Sequence, residues 1–321
     1  LVGAGHDVTL FCAPGSTSLA RVVTLLDSAH PDEIERSLYE VDHVASAFAA
    51  IDAPRPLGSF DVVHDHCGFS ALAMADRVNT PLVHTLHGPF TQETAAFYAR
   101  HGAKATLVAI SLAQRACAPA SLRAAHVIPN PIDLAGWPMR ERKEDHLLWI
   151  GRMTAEKGPH RAIAAARAAG LPLVLAGVIQ PGQEAFFERM VAPHIDGERV
   201  RFLGEVGGAF KRALFAGARA LLMPISWEEP FGMVMVEALA CGTPVIAFPA
   251  GAASELIVDG VTGFLVEDER AMAAAVERLP ELSSRACRAW VAEHLDVNVV
   301  ARAYADVYGA AIESRQATLA R

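Results

Sequence analysis

The sequence predicts an α/β protein built from two doubly wound domains, and three observations carry that prediction. Short β-branched runs alternate along the chain with Ala-rich segments of helical period, the pattern of parallel sheets covered by helices on both faces. The 321 residues exceed one typical α/β domain and match about two. With 52% hydrophobic and 20% charged residues and no low-complexity tract, the chain can fill two packed cores, and an unfolded tail is expected only at residues 314–321.

The first set of strands is read at residues 7–11, 21–26, 61–64, 81–85, 106–110 and 126–128. The charged stretch MRERKED and the residues just before it, 137–145, read as a linker. A second set follows at 146–150, 171–176, 200–203, 220–223, 244–247 and 264–266. This divides the chain into residues 1–137, 138–296 and a last helical segment, 297–321. Two such domains are expected to face a cleft at the carboxyl ends of their strands, where open α/β sheets bind ligands.

The chain opens on LVGAGHDVTLF, a helix end followed by a strand, without an initiator Met. The first strand of the first domain is therefore expected to lie upstream of these residues. The GAG there is no dinucleotide fingerprint, because it precedes a strand and lacks the third Gly.

Composition narrows the partners. Every apolar run is interrupted by Gly, Pro or a charge before it reaches a membrane span, and no signal peptide is visible. A net charge of −8 with no Lys/Arg cluster argues against nucleic acid and against an anionic membrane surface, and favours a small molecule. The five cysteines, Cys12, Cys67, Cys117, Cys241 and Cys287, are scattered and form no CxxC pair, so neither a disulfide framework nor a zinc cage is suggested. A reducing cytoplasm is the simplest setting.

The stretch EPFGMVMVE places Glu229 and Glu237 around an otherwise apolar run. On one continuous helix they would lie about 12 Å apart along the axis, too far for the acid and nucleophile of a glycosidase. Pro230 holds Glu229 out of the helical region and Gly232 permits a tight turn, so a helix is expected to start near Met233. Both carboxylates and the helix N-terminus then point toward one small volume after strand 220–223. Carboxylates accept hydrogen bonds from vicinal hydroxyls, and free amides at Gly232, Met233 and Val234 suit a phosphate, so a nucleotide sugar would use the whole arrangement. The plainer alternative is a first-turn acid favoured by the helix dipole and a solvated loop acid.

The stretch GRMTAEKG puts Arg152 and Lys157 in a loop between strand 146–150 and a helix opened by Gly158 and Pro159. Two cations there can hold a diphosphate and stabilise it as a leaving group. Taken together, the expectation is a division by charge, with cations for phosphate and carboxylates for hydroxyls.

In VHDHCGF and VHTLHGPF, His64 and His66 are placed on opposite faces of a strand, which argues against a metal pair. His64 and His84 read as satisfied strand histidines, whereas His87 lies beyond a strand end beside Gly88 and Pro89. No D-x-D is present, so no acidic metal site for a diphosphate is visible. Ser111 is read as a helix cap, Asn130 as a turn residue, and PAGAASE, residues 249–255, as a turn that permits close backbone approach.

In order and spacing, GRMTAEKG, PISWEEPFGMVMVEALACGTPVIAF and ELIVDGVTGFLV resemble the second domain of retaining GT-B glycosyltransferases of family 4. VHDH, HTLHG, VAIS and VIPNPID resemble the first domain of the same family. The resemblance covers nearly the whole chain. It implies two Rossmann-like domains, the first taking the acceptor and the second the nucleotide-sugar donor. The final helix, about 297–313, would cross back to the first domain.

The implied reaction is metal-independent transfer of a hexose to an acceptor hydroxyl, with retention of anomeric configuration and no cofactor. By the same resemblance Glu229, His87, Arg152 and Lys157 are the expected catalytic residues. Arg152 and Lys157 would hold the donor diphosphate, Glu237 the ribose, Glu229 the sugar hydroxyls, and Phe231, Gly232, Met233 and Val234 the sugar and phosphate. Backbone groups near Val178 and from Gly204 to Val206 would meet the base, with a UDP- or GDP-sugar as the expected donor. A glycan or small-molecule acceptor and a homodimer both stay open.

Three other functions share such a fold. A phosphorylase using pyridoxal phosphate would need a Schiff-base lysine, for which the second domain beyond the linker offers Lys157 and Lys211. A nucleotide-sugar epimerase and a non-catalytic nucleotide-sugar binding protein are the remaining alternatives.

Overall fold

The computed structural model describes residues 1–30, 37–53, 57–122 and 126–319. The chain divides into two compact units, one from residues 1–110, 115–128 and 300 onward, the other from residues 111–114 and 129–299.

The first unit contains β1 (Thr9–Phe11), β2 (Arg21–Val23), β3 (Val63–Asp65), β4 (Leu82–Leu86), β5 (Thr106–Ala109) and β6 (His126–Val127). β1 and β2 form a parallel pair of their own, and the other four strands form a parallel sheet in the order β3-β4-β5-β6. The first helices of the chain are α1 (Ser37–Asp52), α2 (Ser70–Ala73), α3 (Gln92–His101) and α4 (Leu112–Cys117).

Alternation along β4 sorts its side chains onto two faces. Leu82 and Leu86 pack with Tyr98, Leu107 and Leu122, while Val83 packs with Val108, Ile128 and residues from the end of the chain.

The second unit contains β7 (Leu147–Ile150), β8 (Leu173–Ala176), β9 (Val200–Phe202), β10 (Ala220–Met223), β11 (Val245–Ala247) and β12 (Gly263–Leu265). Its helices are α5 (Pro159–Ala168), α6 (Glu184–Met190), α7 (Gly208–Gly217), α8 (Met233–Ala240), α9 (Ala253–Leu256), α10 (Glu269–Glu277) and α11 (Ser284–His294). The six strands are all parallel, in the order β12-β11-β10-β7-β8-β9. Every residue of β7, β8, β10 and β11 is buried, which is why these strands read as unbroken apolar runs instead of alternating ones. One core joins Leu147, Trp149, Leu173, Leu175, Leu222 and Phe264 to Ile163 of α5 and Val276 of α10.

The last helix is α12 (Val297–Leu319). Its Val300, Tyr304, Val307 and Ala311 join Val83 and Val108 in the core of the first unit.

Each expected strand overlaps an observed one, but two other expectations need correction. Residues 137–145 are not a linker between the units, because the chain leaves the first unit at Ile128 and enters the second at Pro129. The charges that suggested a linker are used to hold the segment down. Lys143 Nζ donates to the carbonyls of Ala216 and Cys241, at the ends of α7 and α8, and to Thr243 Oγ1. A cation is favourable at such helix ends. Arg288 fastens the same stretch through the carbonyls of Leu134, Trp137 and Ala240. The supposedly unfolded tail is also helical as far as Leu319, in keeping with its Ala, Leu, Arg and Gln content.

Candidate functional site

The central strands of the second sheet, β7 and β10, pair with Ala220 opposite Leu147 and Leu221 opposite Leu148. From β7 the chain builds outward through β8 and β9, then returns to β10 and builds the other way through β11 and β12. The order reverses between these two strands, and open α/β sheets bind ligands at the carboxyl ends beside such a reversal. The two loops leaving those ends are residues 151–158 and 224–232, which carry GRMTAEKG and EPFG.

The loops are tied together. Ser226 N–H donates to the Glu156 carbonyl at 2.9 Å, and the buried Trp149 indole N–H donates to the Lys157 carbonyl at 3.1 Å. Gly158, with φ 73°, lies so close to Pro224 that a Cβ there would sit 2.3 Å from the Pro224 carbonyl oxygen. On the other side Gly251, with φ 54°, lies against the Glu229 backbone, where a Cβ would fall 2.3 Å from both its nitrogen and its oxygen. The Glu229 carbonyl accepts from Ala252 N–H, and Ser111 Oγ donates to the Pro230 carbonyl at 2.7 Å.

Within this frame the acids and bases are paired. Glu229 is 9% exposed and its Oε2 is engaged by Lys157 Nζ in an ion pair. Trp227 Nε1–H donates to the same oxygen at 3.0 Å, and Lys157 Nζ also lies 4.6 Å from the Trp227 ring centre. Glu237, 8% exposed, sits on α8 five residues beyond its Gly232 N-cap, with Lys211 Nζ of α7 2.8 Å from each carboxylate oxygen. Burial pushes the Glu237 carboxyl up, and the hydrogen bond and charge of Lys211 oppose that shift. Arg152 stands apart from both pairs, exposed, with Nη1 3.4 Å from Gln180 Oε1.

The cations and carboxylates that the sequence divides by charge are thus joined in two Lys–Glu pairs. Two nearly buried carboxylates without partners would each carry a heavy desolvation cost, and a lysine answers each one. Lys211, read from the sequence only as a conceivable Schiff-base residue, is the partner that was missed. Its position in the opening turn of a helix after a strand is the same signal that marked Glu237.

The backbone floor is glycine. Gly177, with φ 139°, would place a Cβ 1.8 Å from the Gly151 carbonyl oxygen, and its N–H donates to the Gly204 carbonyl at 2.7 Å. Gly151, Gly177 and Gly204 thus lie side by side beyond β7, β8 and β9. Val206 follows on the same loop, partly exposed, as are Met233 and Val234, while Phe231 is 3% exposed. Gly232 takes φ 90°, and the expected helix start at Met233 is observed. Ser111 accepts from Gln114 N–H and so caps α4, as expected. Glu255, at the end of PAGAASE, accepts from the N–H groups of Leu112 and Ala113 at 2.8 and 2.6 Å, a role the sequence did not signal.

His87 belongs to a histidine cluster of the first unit. It follows β4, and its Nε2 is 2.9 Å from Nδ1 of His66, which follows β3. The expectation that His64 and His66 diverge fails, because residues two apart in a strand return to the same face. Their ring centres lie 4.1 Å apart. His64 is held by Tyr308 OH and Thr85 Oγ1, each at 2.7 Å, and burial, then the neighbouring imidazoles, pushes it down to about 3. His84 Nδ1–H donates to Asp65 at 2.5 Å. Desolvation, then His66 and His84, pushes His87 down to about 4, opposed by Asp65. At neutral pH His64 and His87 are therefore uncharged. Among the described residues no group of three or more His, Cys, Asp or Glu side chains is arranged to hold a metal ion.

The chain matches the family model for glycosyl transferases group 1 over residues 139–291 and that for glycosyltransferase family 4 over residues 1–135. It is 31% identical over 288 residues to the glycogen synthase of Mycobacterium tuberculosis, covering 78% of this chain and 69% of that enzyme. The chain belongs to the group 1 glycosyltransferases.

Among solved structures this glycosyltransferase resembles AviGT4, a glycosyltransferase involved in avilamycin A biosynthesis, with a TM-score of 0.72 and 25% identity over 97% of this chain and 86% of that one. It shares the fold of Anabaena HepE, solved in complex with UDP-glucose, with a TM-score of 0.69 and 21% identity over 90% of this chain and 86% of that one. The GT-B class implied by the motifs agrees with these neighbours. No described helix is long and apolar enough to cross a membrane.

Proposed function

We propose that this glycosyltransferase moves a hexose from a nucleotide-diphosphate sugar to an acceptor hydroxyl, with retention of configuration and without a metal ion. The observation that carries the reading is the pair of Lys–Glu couples, Lys157–Glu229 and Lys211–Glu237, with Arg152 on the same loop as Lys157, on elements that follow the sheet's carboxyl edge around its switch point. A nucleotide sugar offers each couple what it can exchange, phosphate oxygens to the ammonium groups and vicinal hydroxyls to the carboxylates.

In this reading the donor diphosphate competes with Glu229 for Lys157 and is shared with Arg152. Lys157 swings from carboxylate to phosphate, and Glu229, released from the ion pair, accepts from the sugar hydroxyls. Glu237 takes the ribose, the amides of Phe231 to Val234 line sugar and phosphate, and the glycine floor from Gly204 to Val206 admits the flat base. The bond from the anomeric carbon to the diphosphate oxygen breaks as the acceptor hydroxyl attacks from the same face. The departing oxygen's charge is met by Arg152 and Lys157, so cations of the chain do the work a metal would otherwise do. His87, in the first unit, keeps the catalytic role that the family resemblance gives it, as a neutral imidazole. The UDP-glucose bound to the HepE fold supports a uridine donor, and the glycogen synthase relationship supports a glycan acceptor.

The first test is a melting panel with UDP, GDP, ADP and dTDP, followed by donor turnover with and without chelator and NMR assignment of the product anomer. Arg152→Ala and Lys157→Ala are each expected to lower turnover at least about 100-fold, the scale for losing one stabiliser of developing charge. Turnover within a few-fold of wild type in both variants would overturn the assignment. An isomerised sugar formed without acceptor would identify an epimerase.

A further inference from the structure

Glu229 Oε2 receives two donors, the Lys157 ammonium and the Trp227 indole N–H. The donor-site reading, on which the role of Trp227 rests, takes the first away, because Lys157 cannot hold the diphosphate and remain closed on the carboxylate. A carboxylate 9% exposed would then have only the sugar hydroxyls to hold and orient it unless a second donor stays in place. Trp227 is that donor. Its N–H is neutral and has no attraction to phosphate comparable to that of an ammonium, and it lies only two residues from Glu229 in the same loop. That loop is fastened at both ends, by Ser226 N–H on the Glu156 carbonyl and by Ala252 N–H on the Glu229 carbonyl.

We infer that Trp227 is a positioning residue, which keeps the Glu229 carboxylate aimed at the sugar after Lys157 has moved to the diphosphate. Its ring has a second use while Lys157 is paired with Glu229. With Lys157 Nζ 4.6 Å from the ring centre, the indole face steadies the ammonium between its two positions. Trp227 contacts the reacting sugar through Glu229 alone. Its loss therefore affects the sugar-bearing donor and leaves the free nucleotide untouched.

Trp227→Phe separates these roles, because it keeps an aromatic face for Lys157 and removes the N–H. Binding of UDP alone, or of whichever diphosphate in the melting panel stabilises the enzyme most, is expected to stay within about twofold of wild type. The value of kcat/KM for the corresponding nucleotide sugar is expected to fall about 10- to 100-fold, or about 1.4–2.7 kcal/mol at 1.36 kcal/mol per tenfold. In a Glu229→Gln background the same substitution should cost less than about twofold more, since residues that act as one unit are not additive.

Equal losses for nucleotide and nucleotide sugar, or an undiminished Trp227 effect in the Glu229→Gln background, would show direct contact with the ligand and overturn the inference. Wild-type turnover of Trp227→Phe alongside impaired Glu229→Gln would overturn it while sparing the donor site. Wild-type turnover of Glu229→Gln would remove the donor-site reading and this role together.

Discussion

Replacing Gly158 with Ala tests how the two site loops approach each other. Gly158 takes φ 73°, where an L side chain costs about 1–2 kcal/mol. The new Cβ would also lie 2.3 Å from the Pro224 carbonyl oxygen and 3.1 Å from its carbon. That neighbour is backbone, held in a loop cross-linked to 151–158, and cannot turn aside like the tip of a flexible side chain. Overpacking of this kind adds about 1–3 kcal/mol, for a total of about 2–5 kcal/mol. Gly260 supplies the control, because it has the same φ of 73° and nothing within 4 Å of its Cβ position. Gly260→Ala should therefore show the backbone cost alone.

All four tryptophans, Trp137, Trp149, Trp227 and Trp290, lie in the second unit, so urea unfolding followed by their fluorescence reports that unit alone. The expected order of stability is wild type, Gly260→Ala, Gly158→Ala, with a gap of at least about 1 kcal/mol between the variants. If the two variants agree within about 0.5 kcal/mol, the scatter of neutral substitutions, the close approach of the loops is wrong.

Further expectations concern pH and capping. His64 is depressed to about 3 in the folded protein from an ordinary 6.5, so the unfolded chain takes up the proton first as pH falls. Its contribution is full above the unfolded value and is lost as pH drops below it, by up to about 1.36 kcal/mol per pH unit. Native-state hydrogen exchange in β3 and β4 between pH 7 and 5 should therefore show a smaller loss of protection in His64→Gln than in wild type, and equal slopes would exclude this cause. Glu255→Ala leaves the N–H groups of Leu112 and Ala113 without their acceptor and should destabilise the second unit by about 1–2 kcal/mol in the same fluorescence assay. An unchanged midpoint would mean that solvent serves those groups equally well.

Much of the second unit was legible because its strands carry their burial in local composition. Leu147–Ile150 and Ala220–Met223 are apolar throughout, and the loops after them carry Gly, Pro and charge, so both the strands and the site loops could be placed from short windows. Glu229 outside the helix and Glu237 within it followed from Pro230 and Gly232, whose backbone preferences are local as well. The pairing of those acids could not be read in the same way. Lys157 lies 72 residues before Glu229 and Lys211 lies 26 before Glu237, and nothing in either window names the other. The segment 137–145 misled for a related reason. Its charges resemble a solvated linker, and only the helix-end carbonyls that meet Lys143 and Arg288 show why they are there.

Local chemistry thus settled the α/β class, the order of the strands along the chain, the turn at Gly232 and the residue types available at the site. These follow from backbone preference and side-chain periodicity over a few residues. The tertiary fold settled their order in space, which placed β7 beside β10 and so brought two distant loops together. It also turned free charges into ion pairs, since a carboxylate drawn out of water must find a partner among whatever groups folding brings within reach. Trp227 shows the difference most clearly. As a sequence symbol it is one more aromatic residue, and as a neighbour it is the donor that leaves Glu229 with a partner when Lys157 moves away.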